Sequence, residues 1–401
     1  MNKLKFSKDF LWGVANSAYQ VEGGNKNSDW YQWEIDGKTE GKNGKSTDYW
    51  NRYIEDHIIV EKIGCNAFRT GLEWSKIEPR EGEFSKEAIE RYLLILQDLK
   101  KRGIKRVVTL NHWTIPQWFA EKKGWHGNNP QNYFLRFVDK VIQEIGNEID
   151  ILITLNEPTI PLNKGYLAGV FPPGKKSIFS FKKARKNMIL AHVECYKLVK
   201  KSFPSLPIGI TQFCNTFEAE GLLKIFNPLL KRFQIFYNWG FVKDSLKYHD
   251  FIGVDYYATF VFSLKFPFYE RKTTNNRRTD MQWGIYPKGL YTVCKEAYRE
   301  FKKPIYIFEN GIADAKDKYR ADFIKEHLQF LHKAISEGVD VKGYFYWSLT
   351  DNFEWNKAFK PCFGLVGINY KTLEREIRSS ALEYEKICKS NEIDKVNCNL
   401  M

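Results

Sequence analysis

Two glutamates stand where a fold could use them as acids. Residues 151–160 read ILITLNEPTI, an apolar and β-branched run that ends on Asn156, Glu157 and Pro158. A continuous run of this kind reads as a strand covered on both faces, as in a parallel sheet, and the proline stops further ladder pairing. The strand therefore delivers Asn156 and Glu157 to its C-terminal tip. PIYIFENG (304–311) repeats the pattern and delivers Glu309. Two carboxyl groups facing each other across a cleft suit hydrolysis of a glycosidic bond. One, protonated, helps the leaving oxygen depart, and the other, ionised, meets an oxocarbenium-like centre. At a separation of about 5–5.5 Å the ionised one attacks directly and the anomeric configuration is retained. Either glutamate alone reads equally well as a salt-bridge partner at the rim of a sheet; the pair among aromatic strand tips favours the chemistry.

The elements that must position this pair recur along the chain. Eight short apolar segments end in polar or aromatic residues: 10–18, 66–74, 105–113, 151–158, 207–215, 250–257, 304–311 and 341–349. Between them lie stretches of helical period. In 85–103, Ile89, Tyr92, Leu93, Leu96 and Leu99 share one face, with Ser85 as N-cap and Gly103 as terminator. In 129–146, Asn129 is the expected N-cap and Pro130 the first helical residue, and 319–338 behaves alike. Such stripes face a core by default. Eight β-then-α units predict α/β class and a single (β/α)8 TIM barrel spanning 1–401, with extra helices or loops in 216–249 and 258–303 and a polar tail fraying after about residue 388. In that fold the strand C-termini share one mouth, and strands four and seven, carrying Glu157 and Glu309, face each other across it.

Composition narrows the alternatives. The 401 residues are 43% hydrophobic and 27% charged, an ordinary globular balance. The 16% aromatic content suits stacking on flat ligand faces and equally suits a large core. The net charge of +14 comes from dispersed basic residues, with short clusters at 182–186 and 271–278 that could form a weak anion-binding patch. No nucleic-acid motif has matching spacing, so a solvated basic surface is the better reading and no nucleic-acid partner is expected. Seven cysteines without a C-x-x-C argue against a disulfide framework or zinc site, and neither metal nor cofactor is expected. The start MNKLKFSKDF has no apolar core of a secretory signal, and no run is long enough to span a bilayer. A cytoplasmic protein without a membrane partner is the expectation.

The motifs themselves carry a resemblance. FLWGVANSAYQVEG (10–23), TLNEP (154–158), ENG (309–311), WSLTDNFEW (347–355) and FGLVGINY (363–370) resemble glycoside hydrolase family 1, the retaining β-glycosidases, over nearly the whole chain. The resemblance implies that Glu157 is the acid/base and Glu309 the nucleophile, with Asn156 holding the sugar 2-hydroxyl, Arg69 keeping the nucleophile ionised and Tyr257 bonded to the same carboxylate. It implies that Gln20, His112, Glu354 and Trp355 grip the 3-, 4- and 6-hydroxyls, that Trp113 belongs to the same substrate-binding set, and that Trp347 is the stacking floor. The resemblance further implies that Trp283 lines the entrance on the leaving-group side; Trp33 and Trp125 are weaker candidates there. His112 could instead be a satisfied core histidine, and Arg69 a structural ion-pair partner.

Three departures stand out. Asp255 occupies a position that is usually Asn in the family, and a third carboxylate there raises the pKa of Glu309 unless an Arg or His ties it up. Phe308 replaces a common Thr. The chain is shorter than many relatives, so entrance loops are trimmed and aglycone selectivity is expected to be weak. The resemblance implies hydrolysis of terminal non-reducing β-D-glucosyl, β-D-galactosyl or β-D-fucosyl residues from small β-glycosides or oligosaccharides by double displacement. Glu354 would repel a phosphate, which weighs against a 6-phospho-β-glycosidase. Transglycosylation remains open on sequence grounds, and a non-catalytic sugar binder conflicts with the presence of both glutamates.

Overall fold

The computed structural model describes residues 3–264 and 268–395. Its centre is a closed ring of eight parallel strands: β1 (Leu11–Ala15), β2 (Ala67–Gly71), β3 (Lys105–Asn111), β4 (Ile151–Asn156), β5 (Ile208–Ala219), β6 (Ile252–Phe262), β7 (Ile305–Asn310) and β8 (Val341–Trp347). Each pairs with its neighbours in chain order, and β8 closes on β1 through Gly343–Leu11 to Trp347–Ala15. One long helix follows each strand: α1 (Tyr49–Lys62), α2 (Lys86–Lys101), α3 (Pro130–Ile145), α4 (Ile178–Ser202), α5 (Asn227–Lys243), α6 (Lys288–Phe301), α7 (Arg320–Ser336) and α8 (Ser379–Ser390). The predicted barrel and its eight strand positions are therefore found.

Local signals explain the helix limits, with two differences. The Ser85 hydroxyl accepts from Ala88 N at 3.1 Å, and Gly103 takes the left-handed turn (φ 72°). Asn129 precedes Pro130 as expected but sits at φ 47° and makes no side-chain cap bond. On α2, Leu93 is only half-buried and Ile95 fully buried in its place. The stripe is thus rotated slightly from the one read off the sequence.

The barrel interior is filled by large rings set against glycines. A Cβ at Gly13 would lie 2.3 Å from Phe345 Cδ1, one at Gly209 2.7 Å from Phe251 Cε2, and one at Gly253 2.9 Å from Phe308 Cδ2. Phe308 is fully buried between Phe251, Tyr306 and Phe345, with ring centroids 5.2–5.6 Å apart. The residue that replaces a common Thr therefore plugs the barrel floor below the mouth. The tail does not fray at 388. Helix α8 runs to Ser390, and Glu392–Asp394 pair antiparallel with Lys3–Lys5. Asn391 fastens this ribbon: its Oδ1 accepts from Trp12 Nε1 at 2.8 Å and its Nδ2 donates to the Phe6 and Ser7 carbonyls. Residues 396–401 lie outside the described residues.

Candidate active site

Glu309 sits near the tip of β7 in a fixed set of donors. Arg69, wholly buried on β2, donates from Nη1 to Glu309 Oε1 at 2.7 Å, and Tyr257 on β6 donates its hydroxyl to Oε2 at 2.8 Å. The other Arg69 nitrogens are used as well: Nη2 donates to Asn156 Oδ1 and Nε to Thr109 Oγ1 at 3.2 Å. Gly311 just beyond is required by space, since a Cβ there would lie 1.8 Å from the Trp347 carbonyl oxygen. The chain thus turns against the end of β8 immediately after presenting Glu309.

Glu157 follows the last residue of β4 and has a left-handed backbone, φ 42°. That conformation costs a non-glycine residue on the order of 1 kcal/mol or more. It is held by the Glu157 N–H, which donates to the Thr211 carbonyl at 3.0 Å and to Thr211 Oγ1 at 3.2 Å. Trp113 (φ 74°) and Trp355 (φ 51°) share the left-handed conformation, so backbone strain gathers at this mouth. The Glu157 carboxyl is buried, and among the described residues its Oε1 has no hydrogen-bond partner.

Asp255 on β6 joins the pair. Ligand oxygens of Glu157, Asp255 and Glu309 lie within 4.8 Å of one another. Two unit charges at that distance repel by about 3 kcal/mol at an effective dielectric of ~20. Arg69 already sits on Glu309, and its single charge cannot balance three carboxylates. Burial first, then the neighbouring charges, pushes Glu157 and Asp255 well above the usual carboxylate range. Burial also raises Glu309, but Arg69 and Tyr257 draw it back, so Glu309 ionises before Glu157. The expectation that an Arg or His ties up Asp255 is not met. Among the described residues no Arg or His hydrogen-bonds to Asp255: Arg69 is committed to Glu309, Asn156 and Thr109, and only its charge, with the nearby Thr211 hydroxyl and Glu309 N–H, draws the Asp255 carboxyl partly back. Nothing in the sequence around GVDYY signals this isolation, because it depends on where the partners of Arg69 lie in space.

The remaining candidates ring the same mouth. Asn156 Nδ2 donates to His112 Nε2 at 3.1 Å, which places the ring proton on Nδ1, and burial keeps this histidine neutral. Among the described residues His112 Nδ1 has no partner, so a donor is left free beside the site. His112 is stacked between Trp347 and Trp355, with centroids 5.9 and 6.0 Å away. Trp113 donates from Nε1 to the Asn156 carbonyl at 3.2 Å and leans on Trp355 at 4.6 Å. Gln20 donates to Asn352 Oδ1 and Phe353 O, both at 2.9 Å, and reaches Glu354 Oε2 at 3.4 Å. Burial pushes the Glu354 carboxyl up to about 7. Trp283 meets Tyr257 edge-on at 5.8 Å and carries the Arg271 guanidinium at 5.0 Å from its ring centre. Trp33 belongs to the aromatic cluster that backs Trp355. Trp125 does not line the entrance; it packs in the core against Trp74, Phe119 and Phe134. Thr211, Thr109 and Asn352, which orient these groups, carried no sequence signal of their own.

An eight-stranded barrel with two buried carboxyl groups whose oxygens come within 4.8 Å, one clamped by a guanidinium and one without a partner on Oε1, has the arrangement that a retaining glycosidase needs. The description "Glycosyl hydrolase family 1" matches residues 2–220 and 243–393, and the chain belongs to that family. Beta-glucosidase A of Thermotoga maritima is 31% identical over 451 aligned positions, covering 98% of this chain and 100% of the relative. The longer alignment shows that the relative carries segments this chain lacks. A beta-galactosidase of Sulfolobus acidocaldarius is also 31% identical, covering 97% of this chain and 96% of its own. Among solved structures, a beta-glycosidase from Pyrococcus horikoshii superposes with a TM-score of 0.90 at 35% identity, covering 98% of this chain and 97% of that one.

Proposed function

We propose that this chain hydrolyses small, unphosphorylated β-glycosides, β-glucosides first and β-galactosides or β-fucosides next, with Glu309 as nucleophile and Glu157 as acid/base. The observation that carries the reading is the unequal environment of the pair: Glu309 holds two donors, Glu157 none on Oε1. The ionised Glu309 attacks the anomeric carbon while Glu157 passes its proton to the departing glycosidic oxygen. The glycosyl ester formed on Glu309 removes that negative charge, so the pKa of Glu157 falls. Glu157 then takes a proton from water as the water displaces Glu309. Asn156 and the Nδ1–H of His112 offer donors to sugar hydroxyls, Trp347 offers an apolar face, and Glu354, beside Gln20, offers an acceptor for the far hydroxyls. Glu354, raised to about 7, is partly ionised at neutral pH, and that partial negative charge disfavours a 6-phosphate. Relatives named for both glucoside and galactoside hydrolysis support this substrate range. The six described cysteines are free thiols, five of them buried, which supports a reducing, cytoplasmic setting.

A panel of aryl β-D-glycosides with and without a 6-phosphate tests this reading. Turnover of the β-glucoside or β-galactoside, with initial release of the β-anomer, is expected. Turnover of 6-phospho-glycosides alone would overturn the substrate class, and an initially α product would overturn the mechanism.

A further inference from the structure

The basic cluster at 271–278 is neutralised at every cation but one. Lys272 pairs with Glu218, Arg277 with Glu326 at 2.6 Å and Arg278 with Glu270 at 3.0 Å. Arg271 makes no ion pair and no side-chain hydrogen bond among the described residues, although its Nε is buried. Its guanidinium lies instead over the rings of Trp283 and Phe260, 5.0 and 5.3 Å from their centres. Trp283 in turn meets Tyr257, which holds Glu309. A second cation is in the same condition. Lys164 lies on the turn Leu162–Ala168 that follows Glu157 and β4. Its Nζ is 4.5 Å from the centre of the Phe171 ring, and it too has no hydrogen bond or ion pair among the described residues.

Both cations belong to the barrel mouth. Lys164 is exposed, yet the protein around it draws its ammonium below the usual lysine range, against the pull of Glu354 and Glu157. A side chain that keeps its surface and still loses solvation projects into a concavity, and those two carboxyl groups identify the concavity. The Arg271 charge acts on Lys164 as well, in the opposite sense. An aromatic face holds a cation in place without neutralising it. A partly desolvated charge with no counter-ion is unfavourable until a ligand pairs with it.

We propose that Lys164 and Arg271 recognise an acid group on the leaving group, so that this chain prefers β-glycosides whose aglycone carries a carboxylate, sulfate or phosphate. The inference rests on the glycosidase reading above, in which Glu157 protonates the departing oxygen. The aglycone then lies on the outer side of Glu157, where Lys164 follows on the next turn and Arg271 rests on Trp283. An acid group on the sugar C6 fits less well, because Glu354 at that end holds a partial negative charge of its own. Selection by charge needs no enclosing entrance loops.

Hydrolysis of 4-(carboxymethyl)phenyl β-D-glucoside and of its neutral amide, 4-(carbamoylmethyl)phenyl β-D-glucoside, tests the proposal. The methylene insulates the phenol, so the two leaving groups are close in acidity and differ in charge. The kcat/KM for the acid should exceed that for the amide roughly tenfold or more, and added salt should narrow the difference. Lys164→Met and Arg271→Met should each lower this ratio, the double variant should abolish it, Lys164→Glu should reverse it and Lys164→Arg should retain it. Each ratio is taken within one protein, so a loss of folded enzyme cancels. Equal kcat/KM for acid and amide in the wild type, or a ratio that the double variant leaves intact, would overturn the inference and leave the hydrolase reading standing. Turnover of neither compound, as glucoside or as galactoside, would overturn both. A Lys164-dependent preference for a 6-phospho-glucoside with a neutral aglycone would place the anion on the sugar and overturn the inference.

Discussion

At the scale of single residues, the balance of three carboxyl groups against one guanidinium decides the behaviour of the mouth. On the proposed mechanism Glu309→Gln removes the attacking oxygen, and it should lower kcat by roughly 10³-fold or more. Glu157→Gln should cost roughly 10²–10⁴-fold, and less for aryl leaving groups that need no proton. Both are read from steady-state rates on activated and unactivated glycosides. Asp255 gives a sharper expectation. Its folded pKa is raised, so the folded state holds a proton that the unfolded state releases, and stability is lost as pH rises from the unfolded value toward the folded one. Asp255→Asn should therefore raise Tm at neutral pH, with the gain growing toward alkaline pH. Where the pH is high enough to ionise Asp255, its charge opposes ionisation of Glu157, so the substitution should also move the alkaline limb of the pH–rate profile to lower pH. Superimposable Tm and rate profiles across pH would contradict this account. The glutamate pair was legible because strand tips end on it. The isolation of Asp255 was not, since it follows from the geometry of Arg69, whose contacts span three other strands.

At the scale of elements, the eight strands could be read because buried parallel strands are apolar on both faces and end at turn residues. The filling of the barrel could not. Phe308 looked like a lost hydroxyl, yet it packs under the site against Phe251, Tyr306 and Phe345, and Gly253 leaves room for it. Pairings of large against small residues on neighbouring strands are set by register, which one strand's sequence does not contain. Phe308→Ala should cost about 3–5 kcal/mol in denaturant unfolding, the range for a buried aromatic truncated in a close-packed core. Loss of less than about 1 kcal/mol would mean that the floor collapses into the gap. Ser85→Ala, which removes the α2 cap bond, should cost only ~1 kcal/mol by the same measurement.

At the scale of the whole molecule, the paired strands Lys3–Lys5 and Glu392–Asp394 close the barrel's base. The polarity of CKSNEIDKVNCNLM suggested fraying, because the partners of Glu392–Asp394 lie almost the full chain length away at Lys3–Lys5. Asn391 is the clasp. Asn391→Ala leaves the Trp12 indole N–H without its acceptor and should destabilise the fold by about 1–3 kcal/mol. Hydrogen exchange should show the loss at 3–12 and 390–394 first, and uniform destabilisation without local exchange there would argue against a clasp. The same scale separates the two ends of the barrel: stability is closed off at the base, while chemistry lies toward the mouth.

The central claim is that Glu309, and not Glu157 or Asp255, carries the sugar between the two displacements. It is tested most directly by inactivating the protein with a slow 2-deoxy-2-fluoro-β-glucoside, digesting it and locating the added mass. The account predicts a single glycosyl ester on the peptide containing Glu309, absent in Glu309→Gln. An ester on Glu157 or Asp255, or turnover without any covalent adduct, would contradict it.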